Sequence, residues 1–199
     1  MKIATWNING VRARIDNLLA WLKESAPDIV ALQEIKTVDE SFPRSEIEAL
    51  GYHVETHGQK GFNGVALLSK VRPDEINRGL PGDDGDEQSR FIEGVFSVEG
   101  GVVRVCSIYL PPTRSAFRRL EHLGFTDAVR ACTDETPLYS FWDYQAGCWP
   151  KNNGIRIDHL MLSAEAADRL QSTAIEKHVR AWEKPSDHVP VAGIFSFAA

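Results

Sequence analysis

The chain has 199 residues, 43% of them hydrophobic and 25% charged, which fits one compact domain with a substantial core. A formal net charge of −6 argues against indiscriminate coating of nucleic acid, because phosphate repels the molecule as a whole and any contact needs a locally basic face. Cys106, Cys132 and Cys148 lack CxxC spacing and suggest neither a disulfide framework nor a zinc site, and no run of 18 apolar residues is present to span a membrane; a reducing cytoplasm is the expected compartment.

Strands and helices alternate along the chain. Residues 2–6 read as a strand, and Ile15, Leu18, Leu19 and Leu22 recur at the spacing of an amphipathic helix. Residues 28–33 form the next strand and 45–50 a short helix; 52–56, 64–69, 91–98 and 102–110 read as strands rich in Val, Ile and Phe. The acidic run 81–86 is dense in turn residues and reads as a solvated loop. Thr113 suits the cap of a helix carrying Ala116, Leu120 and Leu123 and ended by Gly124, and strands return at 156–163 and 189–197. This alternation predicts layered α/β packing with polar residues stationed at strand ends.

Several of those polar residues carry chemistry. Asn7 and Glu34 each end an apolar strand, so an amide oxygen and a carboxylate from distant parts of the chain suit one magnesium ion, which takes one or two carboxylates and completes its shell with water and phosphate. The alternative is that Asn7 turns the chain before Gly10 and Glu34 pairs with Lys36 on the surface; spacing favours neither. Asp158 lies between apolar Ile157 and Leu160, and Asp187-His188 precedes Val189-Pro190-Val191, so an Asp can orient a His that polarises a phosphate oxygen. Tyr109 ends a strand, where its hydroxyl can face phosphate or its ring can simply pack. Phe141-Trp142-Asp143-Tyr144, followed by Trp149 to Arg156, mixes rings with amides and cations, which suits either a sugar or base pocket beside a phosphate backbone or an aromatic minicore beneath a loop.

Taken in order, Trp6-Asn7-Ile8-Asn9-Gly10, Leu32-Gln33-Glu34-Ile35-Lys36, Phe62-Asn63-Gly64-Val65-Ala66, Ser107-Ile108-Tyr109-Leu110-Pro111, Phe141-Trp142-Asp143-Tyr144, Gly154-Ile155-Arg156-Ile157-Asp158 and Ser186-Asp187-His188-Val189-Pro190 resemble the exonuclease III family of apurinic/apyrimidinic endonucleases over essentially the whole chain. Deoxyribonuclease I and phosphoinositide phosphatases share only the metal and His framework. The resemblance implies a single four-layer α/β sandwich of the deoxyribonuclease I-like type and a monomer that uses Mg2+, or Mn2+, to incise double-stranded DNA 5′ to abasic sites, with 3′-5′ exonuclease activity and action at blocked 3′ ends. Carried over residue by residue, it assigns the metal region to Asn7, Glu34 and Asp187, the scissile phosphate to Tyr109 and to His188 oriented by Asp158, the pocket for a flipped abasic sugar to Phe141 and Trp142, and positions near the DNA backbone to Gln33, Lys36 and Arg156.

One stretch departs from the family pattern. After Tyr109-Leu110-Pro111 the family continues through a DNA-contact loop, a helix and a strand ending in Gly-Asp-x-Asn, whereas this chain passes from Pro112 directly to Thr113. The Asp that positions the attacking water and the Asn that helps hold phosphate have no counterpart, because no Gly-Asp-x-Asn occurs anywhere in the sequence. An incomplete second sheet and impaired turnover are therefore expected. A binding module that retains metal and abasic DNA without cleaving it is the alternative.

Overall fold

The computed structural model describes residues 1–83, 85–110 and 114–197. The predicted splice at Pro112-Thr113, with its Thr113 cap, lies outside the described residues.

The first strand, β1 (Lys2–Asn7), pairs in parallel with β2 (Ile29–Gln33) through α1 (Ile15–Ser25), whose buried Leu18, Trp21 and Leu22 press on the sheet. The helix ends at Ala26, which adopts a left-handed φ of 46° and donates its N–H to Leu22. After α2 (Arg44–Glu48), β3 (His53–His57) and β4 (Val65–Ser69) add antiparallel to β2. The C-terminal strands β10 (Leu170–Ile175) and β11 (Val191–Phe195) complete the other side, giving the order β10-β11-β1-β2-β4-β3.

Every residue of β2 and β4 is buried, because alternate side chains enter two different cores. Ala4, Trp6, Val30, Leu32, Ala66 and Leu68 pack against α1 and α2, while Ile3, Ile29, Ala31, Val65 and Leu67 face the second layer. That layer holds the antiparallel sheet β5 (Glu75–Arg78), β6 (Phe91–Val98) and β7 (Gly101–Ile108), with Ile92 and Phe96 closing the core between layers. Next come α3 (Arg114–His122), a separate pair β8 (Thr126–Asp127) and β9 (Met161–Leu162), and the short helices α4 (Ala128–Cys132) and α5 (Ala164–Ala167). Among the described residues the second layer is thus divided into three strands and two.

The α/β sandwich matches expectation, while several element bounds do not. The strand expected over 156–163 shrinks to β9, preceded by a single bridge between Phe141 and Ile155, because Arg156, Asp158 and His159 spend their polar groups on side-chain partners. The strand β10 goes unseen in the sequence because Gln171, Ser172 and Thr173 interrupt its apolar content, and β5 because four residues carry too little pattern. No helix among the described residues is long and apolar enough to cross a membrane.

Candidate active site at the strand ends

Two groups of side chains meet at one end of the six-stranded sheet. Asn7 is the last residue of β1, and Glu34 follows β2 directly with a left-handed φ of 50°, which swings its carboxylate out of the strand line toward Asn7. The Asn7 amide donates to Glu34 Oε1 at 2.8 Å, and Lys36 Nζ lies 3.0 Å from Glu34 Oε2 and 2.5 Å from Asn9 Oδ1. Burial works to raise the Glu34 carboxyl, but the Asn7 amide and the Lys36 ammonium outweigh it and hold it below the usual glutamate range. Tyr109 is pushed up to about 12 by burial, with the Glu34 and Asp187 carboxylates adding to the shift, so its hydroxyl stays protonated.

The second group is built on loops. His188 Nδ1 sits 2.9 and 3.0 Å from the two Asp158 oxygens, and both residues are buried. Burial alone would lower the imidazole, yet the Asp158 charge and hydrogen bond prevail and raise it above 6.5, favouring an imidazolium whose other nitrogen is free to donate. The Phe141 ring packs edge-on against it at 4.8 Å, and the Trp6 indole donates to the His188 carbonyl at 3.2 Å. Ser140, wholly buried, accepts the backbone N–H groups of Ile157 and Asp158, both at 3.1 Å, and fixes the Asp loop. Gly154 admits this packing because a Cβ there would come within 2.6 Å of the Phe141 carbonyl.

Two residues join the groups. Ser186 donates to the Asn7 carbonyl at 2.8 Å and accepts the His188 N–H at 3.2 Å. Asn9, in a left-handed turn with φ 48°, donates to Asp187 Oδ1 at 2.9 Å while its oxygen meets Lys36. The sequence does not single out Asn9, Ser140 or Ser186 as functional positions. Asn9 and Ser186 lie inside quoted motifs, and Ser140 directly precedes one, but their roles arise from bonds across long stretches of chain that local spacing does not reveal.

The other predicted positions divide. Asn7, Glu34, Tyr109, Asp158, Asp187 and His188 converge on this end of the sheet, and Phe141 lines it. Trp142 does not line a pocket: it is wholly buried, edge-on to Trp149 at 5.0 Å, and supports the loop from beneath. Gln33, expected near the DNA backbone, instead points into the sandwich, where its amide donates to Thr5 and Ser107, each at 3.0 Å. Arg156 is likewise turned inward, 2.7 Å from Asp127, whose Oδ2 also lies 3.2 Å from His159 Nδ1; burial works to raise the Asp127 carboxyl, but the hydrogen bonds to His159 and Arg156 and the Arg156 charge hold it well below the usual aspartate range. Lys36 reaches the site edge, but as the partner of Glu34 and Asn9.

No group of three or more His, Cys, Asp or Glu among the described residues forms a ready metal cage. The donor set still fits a hard divalent cation of the sparsely ligated kind, in which the Glu34 carboxylate and the Asn7 amide oxygen supply the protein oxygens and water and phosphate the rest. The Lys36 ammonium beside Glu34 and Asn9 shows the affinity of this corner for positive charge.

A carboxylate–amide corner facing a carboxylate-bound histidine, carried on the strand ends of a layered α/β sandwich, defines a phosphoesterase class, and the chain belongs to the endonuclease/exonuclease/phosphatase family, whose model matches residues 4–136. It is 32% identical to exodeoxyribonuclease III of Haemophilus influenzae over 262 residues, covering 96% of this chain and 98% of that protein, and 25% identical to the DNA repair nuclease APEX1 of Danio rerio, covering 96% and 81%. In structure it superposes on the 3′-5′ exonuclease of Neisseria meningitidis with a TM-score of 0.91 at 28% identity, covering 98% of this chain and 100% of that one. An AP endonuclease from Archaeoglobus fulgidus gives 0.87 at 25% identity, covering 98% and 99%. The chain is therefore an exonuclease III-type member of that family, whose curated relatives are DNA nucleases.

Proposed function

We propose that this chain hydrolyses the phosphodiester bond 5′ to abasic sites in double-stranded DNA and trims blocked 3′ ends, with Mg2+ or Mn2+ as cofactor, and that it does so weakly because the family's Gly-Asp-x-Asn segment is absent. The observation that carries the reading is the convergence of the Asn7–Glu34 corner with the His188–Asp158 pair, tied together by Ser186 and Asn9. Bound at Asn7 and Glu34, the cation would supply Lewis acidity and charge neutralisation at the phosphate. His188, whose proton affinity the facing Asp158 carboxylate raises, would donate to a non-bridging oxygen, and Tyr109, beside Glu34, offers a neutral hydroxyl donor. Phe141 borders the space in which an extruded abasic sugar would sit, an extrusion made easier by the absence of a base pair to break.

Among the described residues, the site assigns the attacking water to no base. Loss of general-base assistance typically costs roughly 10²- to 10⁴-fold. The alignment with the Haemophilus protein runs over 262 residues against 199 here, so that relative carries several dozen residues without a counterpart, as a missing segment requires. The same absence favours a second reading, a module that holds abasic DNA without cutting it.

A labelled duplex with one abasic analogue, incubated with Mg2+ or with chelator, separates the two. Slow incision 5′ to the lesion that needs the metal supports the hydrolase. Retention of the duplex with no product over the same period supports the binding module.

A further inference from the structure

Arg14, Arg90 and Arg180 each bury a side-chain Nε that has no hydrogen-bond partner. Two of them are engaged through their outer nitrogens. Arg14 donates to the Asn9 carbonyl at 2.5 Å and to the Tyr144 hydroxyl at 3.1 Å, and Arg180 donates to the Trp142 carbonyl at 3.1 Å. Arg90 differs, because among the described residues its guanidinium meets no backbone or side-chain acceptor and no carboxylate within ion-pair distance. A half-buried guanidinium left in this way has lost hydration that no protein group replaces.

The β6–β7 ladder fixes where Arg90 points. Tyr109 donates its N–H to the Arg90 carbonyl at 2.8 Å, one step beyond the pair Phe91↔Ile108, so Arg90 and Tyr109 are directly opposed and their side chains leave the same face of the sheet. That face looks toward the six-stranded sheet. Two positions along the ladder the opposed pair is Ile92, which closes the core between layers, and Ser107, which donates to the Leu32 carbonyl at 2.8 Å. Tyr109 lies beside Glu34 there, and Arg90 is close enough for its charge to work against the rise of the Tyr109 hydroxyl. Other cations at this end are already committed, Lys36 to Glu34 and Asn9 and Arg156 to Asp127, whereas Arg90 faces the site with its donors unspent.

We propose that Arg90 is a phosphate-binding residue, its guanidinium fork closing on the non-bridging oxygens of the phosphodiester that Tyr109 meets. The inference rests on the functional reading above and deepens it. A guanidinium presents paired N–H donors in one plane, which match two phosphate oxygens, and the phosphate supplies both the negative charge and the acceptors that the fold withholds from Arg90. Charge balance calls for such a group. Glu34, Asp158 and Asp187 gather carboxylates where a phosphate must come, and Lys36 and His188 are each held against one of them. With the phosphate-holding Asn of the family absent from the sequence, Arg90 provides a grip that stands on β6 and does not depend on the missing segment.

Fluorescence anisotropy on the full chain, with a labelled duplex carrying one abasic analogue and chelator present to prevent cleavage, tests the assignment. Arg90→Met keeps the apolar stem and removes the charge, so affinity should fall roughly tenfold to hundredfold and the slope of log affinity against log salt should shrink by about one phosphate contact. The melting temperature should hold or rise, since the substitution strands no partner. A second duplex, with a neutral methylphosphonate at the linkage 5′ to the analogue, identifies the phosphate: it should cost the wild type roughly tenfold more than it costs Arg90→Met, where the contact is already gone. Equal cost in the two proteins overturns the proposal, and a lowered melting temperature alongside it would assign Arg90 to packing alone. A variant that binds as the wild type does overturns it too. These outcomes leave the functional reading standing, whereas a wild-type chain that does not retain the abasic duplex defeats that reading and this inference together.

Discussion

The two halves of the site are held by different means. The Asn7–Glu34 corner stands on adjacent parallel strands at the centre of a six-stranded sheet, where backbone pairing on both sides fixes it. The His188–Asp158 half stands on loops joined by isolated bridges, Phe141 to Ile155 and Phe141 to His188, and by single serine hydroxyls. Sheet position makes the first half rigid through many shared bonds. The second owes its geometry to a few buried bonds, so single substitutions there should move the chemistry most.

The sharpest break is His188→Ala. It removes the proposed phosphate donor while leaving the sheet corner intact, and metal-dependent cleavage should fall by roughly 10²- to 10⁴-fold with metal affinity, measured by titration calorimetry, unchanged. Asp127→Asn tests the ground beneath the same half: it strands Arg156 without its carboxylate and should cost about 3 kcal/mol in denaturant unfolding. Because the Asp127 carboxyl is depressed in the folded state, its contribution is present above its unfolded value near 3.8 and fades as pH falls below that, so wild type and variant should converge in acid. Ser140→Ala leaves the N–H groups of Ile157 and Asp158 without an acceptor, and should lower stability by about 2 kcal/mol while slowing cleavage through misplacement of Asp158.

The smallest and most specific effect is spectroscopic. In Asp158→Asn, burial acts on His188 without its main opposing charge, and its imidazole resonances should titrate below 6.5 where the wild type titrates above it. The sign for stability follows. The raised histidine stabilises the wild-type fold fully below its unfolded value and loses that contribution as pH rises through the folded one, a trend that Asp158→Asn should abolish.

The same contrast explains what was legible in the sequence. Strand ends advertise themselves, so Asn7 and Glu34 could be located from apolar runs that stop at a polar residue. The facing of a side chain could not be read where both faces of a strand are buried: nothing in Ile29–Gln33 says that Gln33 turns toward Ser107 and not toward solvent. The loop half was visible only as motifs. Ser140 and Ser186 act through bonds spanning 18 and 179 positions, and Trp142 looked like a pocket wall because aromatic density does not distinguish a lining from a support.

The proposal's central claim is that the metal and histidine site is in place and that turnover is limited by the absent Gly-Asp-x-Asn segment, which would bring the water-positioning Asp and the phosphate-holding Asn. The most direct measurement is incision of an abasic duplex, with and without Mg2+, by the chain as it stands and by a version carrying a family-type Gly-Asp-x-Asn segment between Pro112 and Thr113. A gain of roughly 10²- to 10⁴-fold on restoration, wholly dependent on metal and lost in His188→Ala, is the predicted result. Fast cleavage by the unaltered chain, or a correctly folded restored chain that cuts no faster, would contradict it.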